Sequence, residues 1–504
     1  VPEDVPPGSR ALPGWVAGGV TFLASGTVLV LEVVGLRLIA PYVGITLQTN
    51  TAVIGFALAA IALGAWTGGA VADRTDPRRL LAPVLVAGGA LVVAVLPLVR
   101  FAGGLLTGAA AGNVLLLAFV AVGVPAALLS AVPPMVVKLQ LGSLAETGSV
   151  VGRLSGIGTL GGIAATFLTG FVLVAVLPSS VILVATGLLT VVVGLALAVL
   201  LRRAVPLRAD RRTAGLLALT AAVPLLAAAA PTPCEAETSY HCARVTADPE
   251  RDGGRVLVLD TLRHSYVDLD DPRHLEFEYV RAIAAVSTAV APAGEPLSAL
   301  HLGGGGLTLP RWLAVERPGT VSRVLEVDPG VVELDEQRLG VRTSPELQVR
   351  VGDARVALAE EPAGERDLVV GDAFGGLAVP WQLTTVEALR LVDRSLADGG
   401  VYAANLIDHP PLDFVRAELA TLRRVFPSVV LLARAPVVLG EDGGNVVAVA
   451  SRQPLDTARL ADALAARELA WQVVAGAELD RFVGSAPVLT DDFAPVDQLL
   501  SPYG

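Results

Sequence analysis

Long unbroken apolar runs fill the first 230 or so residues of this chain, and short or alternating apolar runs fill the remainder. Runs near 15–39, 51–72, 80–99, 113–137, 154–177, 180–201 and 214–230 are long enough to cross a bilayer as helices, the last being the shortest. This pattern predicts a seven-span helical domain over 1–231. From Pro231 the pattern changes. Segments 240–245, 255–259 and 264–269 alternate with period two and predict a small antiparallel sheet, followed by a helix over 273–290 with Leu275, Tyr279, Ile283 and Val286 on one side. This small sheet and helix occupy 232–295. Over 296–504, apolar strands at 300–302, 321–325, 347–351, 367–370 and 401–406 alternate with helical stretches, and further strands follow at 429–433 and 445–450. That alternation predicts a Rossmann-like α/β domain of the methyltransferase and spermidine synthase type, behind an all-α transmembrane bundle.

Composition supports the division. Hydrophobic residues make up 53% of the chain and charged residues 17%, with a mean hydropathy of +0.64, so part of it belongs in lipid. The net charge of −11, with no basic cluster interleaved with aromatics, excludes a nucleic-acid partner. Arg74, Arg78 and Arg79, then Lys138 and Arg153, then Arg202, Arg203, Arg208, Arg211 and Arg212 mark alternate loops as cytoplasmic. The expected protein is multi-pass in the plasma membrane, with its N-terminus inside and its C-terminal half outside. Glu32 is costly in hydrocarbon and is a functional candidate, the plainer reading being that it pairs with Arg37 or a neighbouring helix. The two cysteines, Cys234 and Cys242, would form a disulfide in an oxidising compartment and stay reduced in the cytoplasm, or they are unrelated thiols. His241 is the lone histidine near them, so no metal site is expected.

The chemistry concentrates at strand ends. The strand at 300–302 passes into Gly303, Gly304, Gly305 and Gly306, then a helix, then a strand ending at Glu326 and Asp328. Glycines admit close backbone approach by a ligand, and a carboxylate about 20 residues further on can accept ribose hydroxyls. The competing reading of the glycines is a tight turn alone. Two further strands end in Gly352-Asp353 and Gly371-Asp372, so four strand ends would converge on one nucleoside crevice. The acidic stretch 489–497 either closes over that crevice or is a solvated tail.

These residues carry a family resemblance. The C-terminal half resembles the spermidine synthases, through Leu259-Asp260, Gly303 to Gly306, Leu325 to Asp328, Gly352 to Ala354, Asp367 to Asp372, Val386 to Ala388, Leu396 to Gly400 and Thr490 to Asp492. The whole chain is similar to membrane proteins that fuse a transporter-like helical half to such a domain, and Gly68 to Arg74 resembles the short cytoplasmic motif of major-facilitator transporters. The resemblance implies S-adenosylmethionine or its decarboxylated form as donor, with Gly303 to Gly306, Glu326, Asp328 and Asp353 binding it. It implies Asp372 as the catalytic carboxylate acting as base, with His264 and Tyr266 to assist it and Tyr240 and Tyr279 at the substrate, although each of these aromatics is more often a core or rim residue. Two family acids are missing: Gly375 stands for the one that helps take the amine proton, and Gly306 for the one that grips the donor's ammonium.

The expected function is therefore a membrane-embedded transferase that passes an aminopropyl-type group to a small-molecule amine or other nucleophile. Methyl transfer is the alternative that tolerates Gly306. A polyamine or nucleoside transporter with a non-catalytic sensor domain is the second, and a binding module without turnover the third. A homo-oligomer is compatible with all of them.

Overall fold

The structure, a computed structural model, describes residues 12–108, 110–202, 225–376 and 378–501. The chain divides into two units, Val1–Cys242 and Ala243–Gly504.

In the first unit six helices are long and apolar enough to cross a membrane: Gly14–Val43, Leu47–Arg74, Pro77–Leu105, Ala111–Gln140, Leu144–Val176 and Ser179–Arg202. Glycines set how closely they pack. A Cβ at Gly89 would lie 2.6 Å from the Gly187 carbonyl oxygen and one at Gly187 would lie 2.8 Å from that of Gly89, so the third and sixth helices meet backbone to backbone. The seventh expected span, 214–230, falls largely outside the described residues.

Arg37 donates to the Ser179 hydroxyl at 3.0 Å and to the carbonyls of Thr238 and Ser239 at 2.7 and 2.6 Å. Arg100 reaches Glu237 at 3.4 Å, and the other Glu237 oxygen accepts the Ser180 N–H at 2.9 Å. Residues 237–239 are thus clamped to the end of the bundle where the first and third helices finish and the sixth begins. The same stretch is closed by a Cys234–Cys242 disulfide. Arg202 ends the sixth helix at the end opposite Ser179.

In the second unit, strands Cys242–Ala247, Gly254–Leu259 and Leu262–Asp268 pair antiparallel as the alternation predicts. An eight-stranded sheet follows in the order Trp471–Val474, Ser428–Arg434, Gly444–Ser451, Leu396–Asp408, Arg366–Gly371, Ser298–Leu302, Val321–Glu326, Leu347–Val351. The last five strands of that order run parallel, and the first three pair antiparallel. One face carries Leu300, Leu302, Val369 and Phe414, the other Ala299, Ile283, Trp312 and Leu368, each covered by helices. The sequential order of the parallel strands changes sense between Ser298–Leu302 and Arg366–Gly371, the place where open α/β sheets bind ligands.

Arg317 is 2% exposed and closes the far end of the helix Glu278–Val290. Its guanidinium donates to the carbonyls of Ser287, Ala291, Pro292 and Glu295 at 2.9 to 3.1 Å, satisfying oxygens that the helix end leaves open. Arg317→Met removes this donor from all four carbonyls, with Pro292 retaining the Glu295 N–H at 3.3 Å. Chemical denaturation of the full chain in detergent is expected to show a loss of about 3 kcal/mol.

Candidate functional site

Gly303 begins the turn with φ +100°, and a Cβ there would run into the Asp372 carbonyl. This is a position that needs glycine both for its backbone angle and for space. The Gly303 N–H donates to the Leu325 carbonyl and the Asp372 N–H to the Leu302 carbonyl, each at 2.9 Å, so three strand ends are stitched together. Gly304 donates its N–H to Glu326 Oε2 at 2.8 Å, and Glu326 Oε1 accepts the Asp328 N–H at 2.9 Å. Glu326, 9% exposed, therefore faces the glycine turn. Gly306 has φ +71° and donates to Asp335 Oδ2 at 2.9 Å, while a Cβ on it would collide with the Ser265 hydroxyl.

Asp372 lies on the other side of the turn. Its Oδ2 accepts from the Tyr279 hydroxyl at 3.2 Å and its Oδ1 from the Asn405 amide at 2.8 Å. Asn445 in turn donates to Asn405 Oδ1 at 2.9 Å, fixing which way that amide points. Burial pushes the Asp372 carboxyl up to about 6, against the pull of its two hydrogen bonds. Burial likewise holds Asp335 well above the usual carboxylate range, with the nearby Glu326 charge adding to it.

The predicted residues separate into those gathered at the turn and those used elsewhere. Gly303 to Gly306, Glu326, Asp372, Tyr279 and His264 come together, with His264 beside Gly305 and the Phe374 ring. Asp328 caps the helix Pro329–Arg338 through the Gly330 N–H, and Asp353 caps Ala354–Glu360 through the N–H groups of Arg355 and Val356. The Tyr266 hydroxyl donates to Asp248 at 2.7 Å rather than to Asp372, and burial with that bond raises it to about 12. Tyr240 belongs to the first unit and is half exposed.

The stretch 489–497 is no solvated tail. Leu489 is fully buried, and Asp491 accepts from Thr385 at 2.6 Å and Arg355 at 2.9 Å. Beyond it, Asp492 to Gln498 together with Gly375, Ala378, Val379, Pro380 and Trp381 line an open groove of about 530 Å³.

Asn405, His301, Ser265 and Asp335 were not singled out from sequence. A weak signal existed for the first two, each being the polar residue in an otherwise apolar strand segment, Ala404-Asn405-Leu406 and Leu300-His301-Leu302. Ser265 and Asp335 carried none, since only the folded turn brings them beneath Gly306.

Comparison with known proteins gives partial matches. A polyamine aminopropyltransferase of Vibrio vulnificus (strain CMCP6) is 32% identical over 195 residues, 37% of this chain and 58% of that protein, so the match spans little more than half of the relative. A probable spermidine synthase from Corynebacterium glutamicum ATCC 13032 aligns at 28% identity over 53% of this chain and 98% of its own, with a TM-score of 0.49. Human Methyltransferase-like protein 13 in complex with SAH aligns at 21% identity over 44% and 96%, with a TM-score of 0.30. No protein-family model matches the chain. A polyamine aminopropyltransferase is thus a homologue of this chain over 195 residues, and the chain also holds six helices long and apolar enough to cross a membrane.

Proposed function

We propose that the second unit is a transferase that binds S-adenosylmethionine or its decarboxylated form and passes an alkyl group, aminopropyl by preference, to an amine. The observation that carries this reading is the placing of two carboxylates, Glu326 and Asp372, at neighbouring strand ends on either side of a glycine turn. Glu326 accepts backbone N–H groups at the turn, and the lone pairs that remain on its oxygens are the ones that would hold ribose hydroxyls. In the transfer, the amine lone pair attacks the carbon bound to sulfur, the C–N bond forms as C–S breaks, and the electron pair leaves on sulfur. The proton released from nitrogen passes to Asp372. A carboxylate that titrates at about 6 is ionised at neutral pH yet a better proton acceptor than an ordinary aspartate. Alignment of donor and acceptor supplies most of the rest.

The groove beyond Gly375 suits a cationic acceptor. Trp381 and Phe493 stand exposed in it with Asp492 and Asp497, pairing aromatic faces with negative charge. Methyl transfer is the second reading, favoured by the Ser265 hydroxyl filling the place where a side chain on residue 306 would begin.

We further propose that the helical unit spans the plasma membrane and holds the second unit outside. The clamp of 237–239 and the disulfide sit at the bundle end opposite Arg74, Arg78, Arg79 and Lys138. Disulfides persist in oxidising compartments, and basic loops stay cytoplasmic.

Three outcomes follow. Calorimetry with both sulfonium donors should show Glu326→Ala weakening binding by tenfold or more, on the order expected for lost charge-assisted bonds, while Asp372→Ala keeps donor affinity and loses product; unchanged binding in the first variant removes the nucleoside assignment. The raised Asp372 carboxyl stabilises the fold fully below its ordinary value of 3.8, and that contribution is lost as pH rises through about 6. Asp372→Asn should accordingly melt higher than wild type at pH about 8, with the difference vanishing below pH about 4; a constant difference across that range contradicts the shift. Finally, a cysteine introduced at the exposed Glu468 should react with a membrane-impermeant maleimide in intact cells. Reaction only after permeabilisation refutes the outward placement.

A further inference from the structure

Deep inside the six candidate spans, away from their ends, a single side chain is charged. Glu32 stands eleven residues, about 17 Å of helix, before Val43 and eighteen, about 27 Å, after Gly14. Charged groups on the helices around it keep to the span ends. Asp73 and Lys138 pair at one end, which also carries Arg74 and Arg153, while Arg100 and Arg37 are engaged at the other. Among the described residues no hydrogen bond or ion pair reaches the Glu32 carboxylate. An unpaired acid at that depth is costly enough that it marks a site with a task.

The backbone of two neighbouring helices is altered at the same depth. The fourth helix breaks its α repeat in a π turn, Phe119–Gly123, and Pro125 follows without an N–H, so a carbonyl one turn earlier, at Val120 or Ala121, has no helical donor. This helix runs antiparallel to the first: Gln140 meets Leu12, and Val122 meets Gly35, where a Cβ would come within 3.0 Å of it. Glu32 is three positions before Gly35, on the same side of its helix, and so comes level with Pro125. The fifth helix has a second π turn, Thr169–Leu173. It runs parallel to the first, Ile157 meeting Gly18 and Ala165 meeting Gly26, which brings Thr169 level with Val30, about 3 Å of rise from Glu32. Thr169 is fully buried and its hydroxyl has no partner, whereas the hydroxyls of Thr21, Thr186 and Thr190 each donate to the carbonyl four residues back.

A carboxyl, an open carbonyl and an unbonded hydroxyl thus share one layer of the bundle. These groups fit a proton. A hard metal cation needs about six oxygens in its shell, more than the layer offers. A protonated carboxyl needs one acceptor, and it supplies the O–H that the carbonyl and Thr169 lack. We propose that Glu32 is a proton-binding site through which the helical unit carries protons across the bilayer: the carboxylate takes a proton from one side, becomes a neutral acid, and releases the proton to the other. The helical unit is then a proton pathway as well as an anchor. The proposal rests on the membrane-spanning reading above and is independent of the transferase.

The test is proton entry into liposomes that hold the full chain and a trapped pH-sensitive dye, driven by a potassium diffusion potential set with valinomycin. Wild type is expected to acidify the lumen faster than Glu32→Gln by about tenfold or more, with Glu32→Asp between them and Thr169→Val slowed about threefold. Equal rates for wild type and Glu32→Gln, or no entry above protein-free liposomes, would overturn the proposal. Flotation of the liposomes on a density gradient separates the two failures, since a chain that does not float with them sinks the membrane-spanning reading instead. Partial recovery in Glu32→Asp shows that the carboxyl, and not the shape of the side chain, carries the proton. If Glu32→Gln melts in detergent as an unfolded chain, Thr169→Val still decides the matter, a rate equal to wild type overturning the proposal.

Discussion

The hydrogen bond from the Gly304 amide to Glu326 ties the first two parallel strands together at their carboxyl ends. It works because the turn has no side chains to hold the backbone away. A Cβ on Gly304 would lie 2.7 Å from the Val324 side chain, and one on Gly303 would enter the Asp372 carbonyl. Strand ends on both sides are therefore drawn to the turn. Substitution at either glycine would separate them before it altered any contact with a ligand.

Around that turn three carboxylates experience three environments. Glu326 is held by backbone N–H groups, Asp335 sits fully buried under Gly306, and Asp372 lies between these extremes with a phenol and an amide as its donors. Burial raises Asp335 well above the carboxylate range and Asp372 to about 6, so neighbouring acids of the same type are separated in their affinity for protons. Such separation is how one site assigns a proton acceptor without a metal or a second base. It originates in the depth of the carboxyls and in the small number of donors that reach them.

Much of this was legible in the sequence, for reasons that can be stated. The first six apolar runs and the parallel strands are set by local periodicity, which survives in a one-dimensional reading. The closeness of Glu326 to the glycine turn follows from its distance along a strand–helix–strand unit. What could not be read depends on register between distant segments. Asn405 reaches Asp372 because its strand pairs with Arg366–Gly371, and Ser265 reaches Gly306 because the small sheet lies against the turn. The Asp328 and Asp353 carboxylates each cap a following helix, a role that the sequence does not separate from ligand binding. Arg37 illustrates the same limit, since its partners Thr238 and Ser239 lie some two hundred positions away.

The occupation of one space by two residues has an evolutionary consequence. The Ser265 hydroxyl stands where the first carbon of any side chain on residue 306 would be placed, and the backbone there is left-handed. A side chain at 306 would therefore meet both the Ser265 hydroxyl and an unfavourable backbone angle, so what residue 306 can be depends on what stands at 265 and the two positions are epistatic.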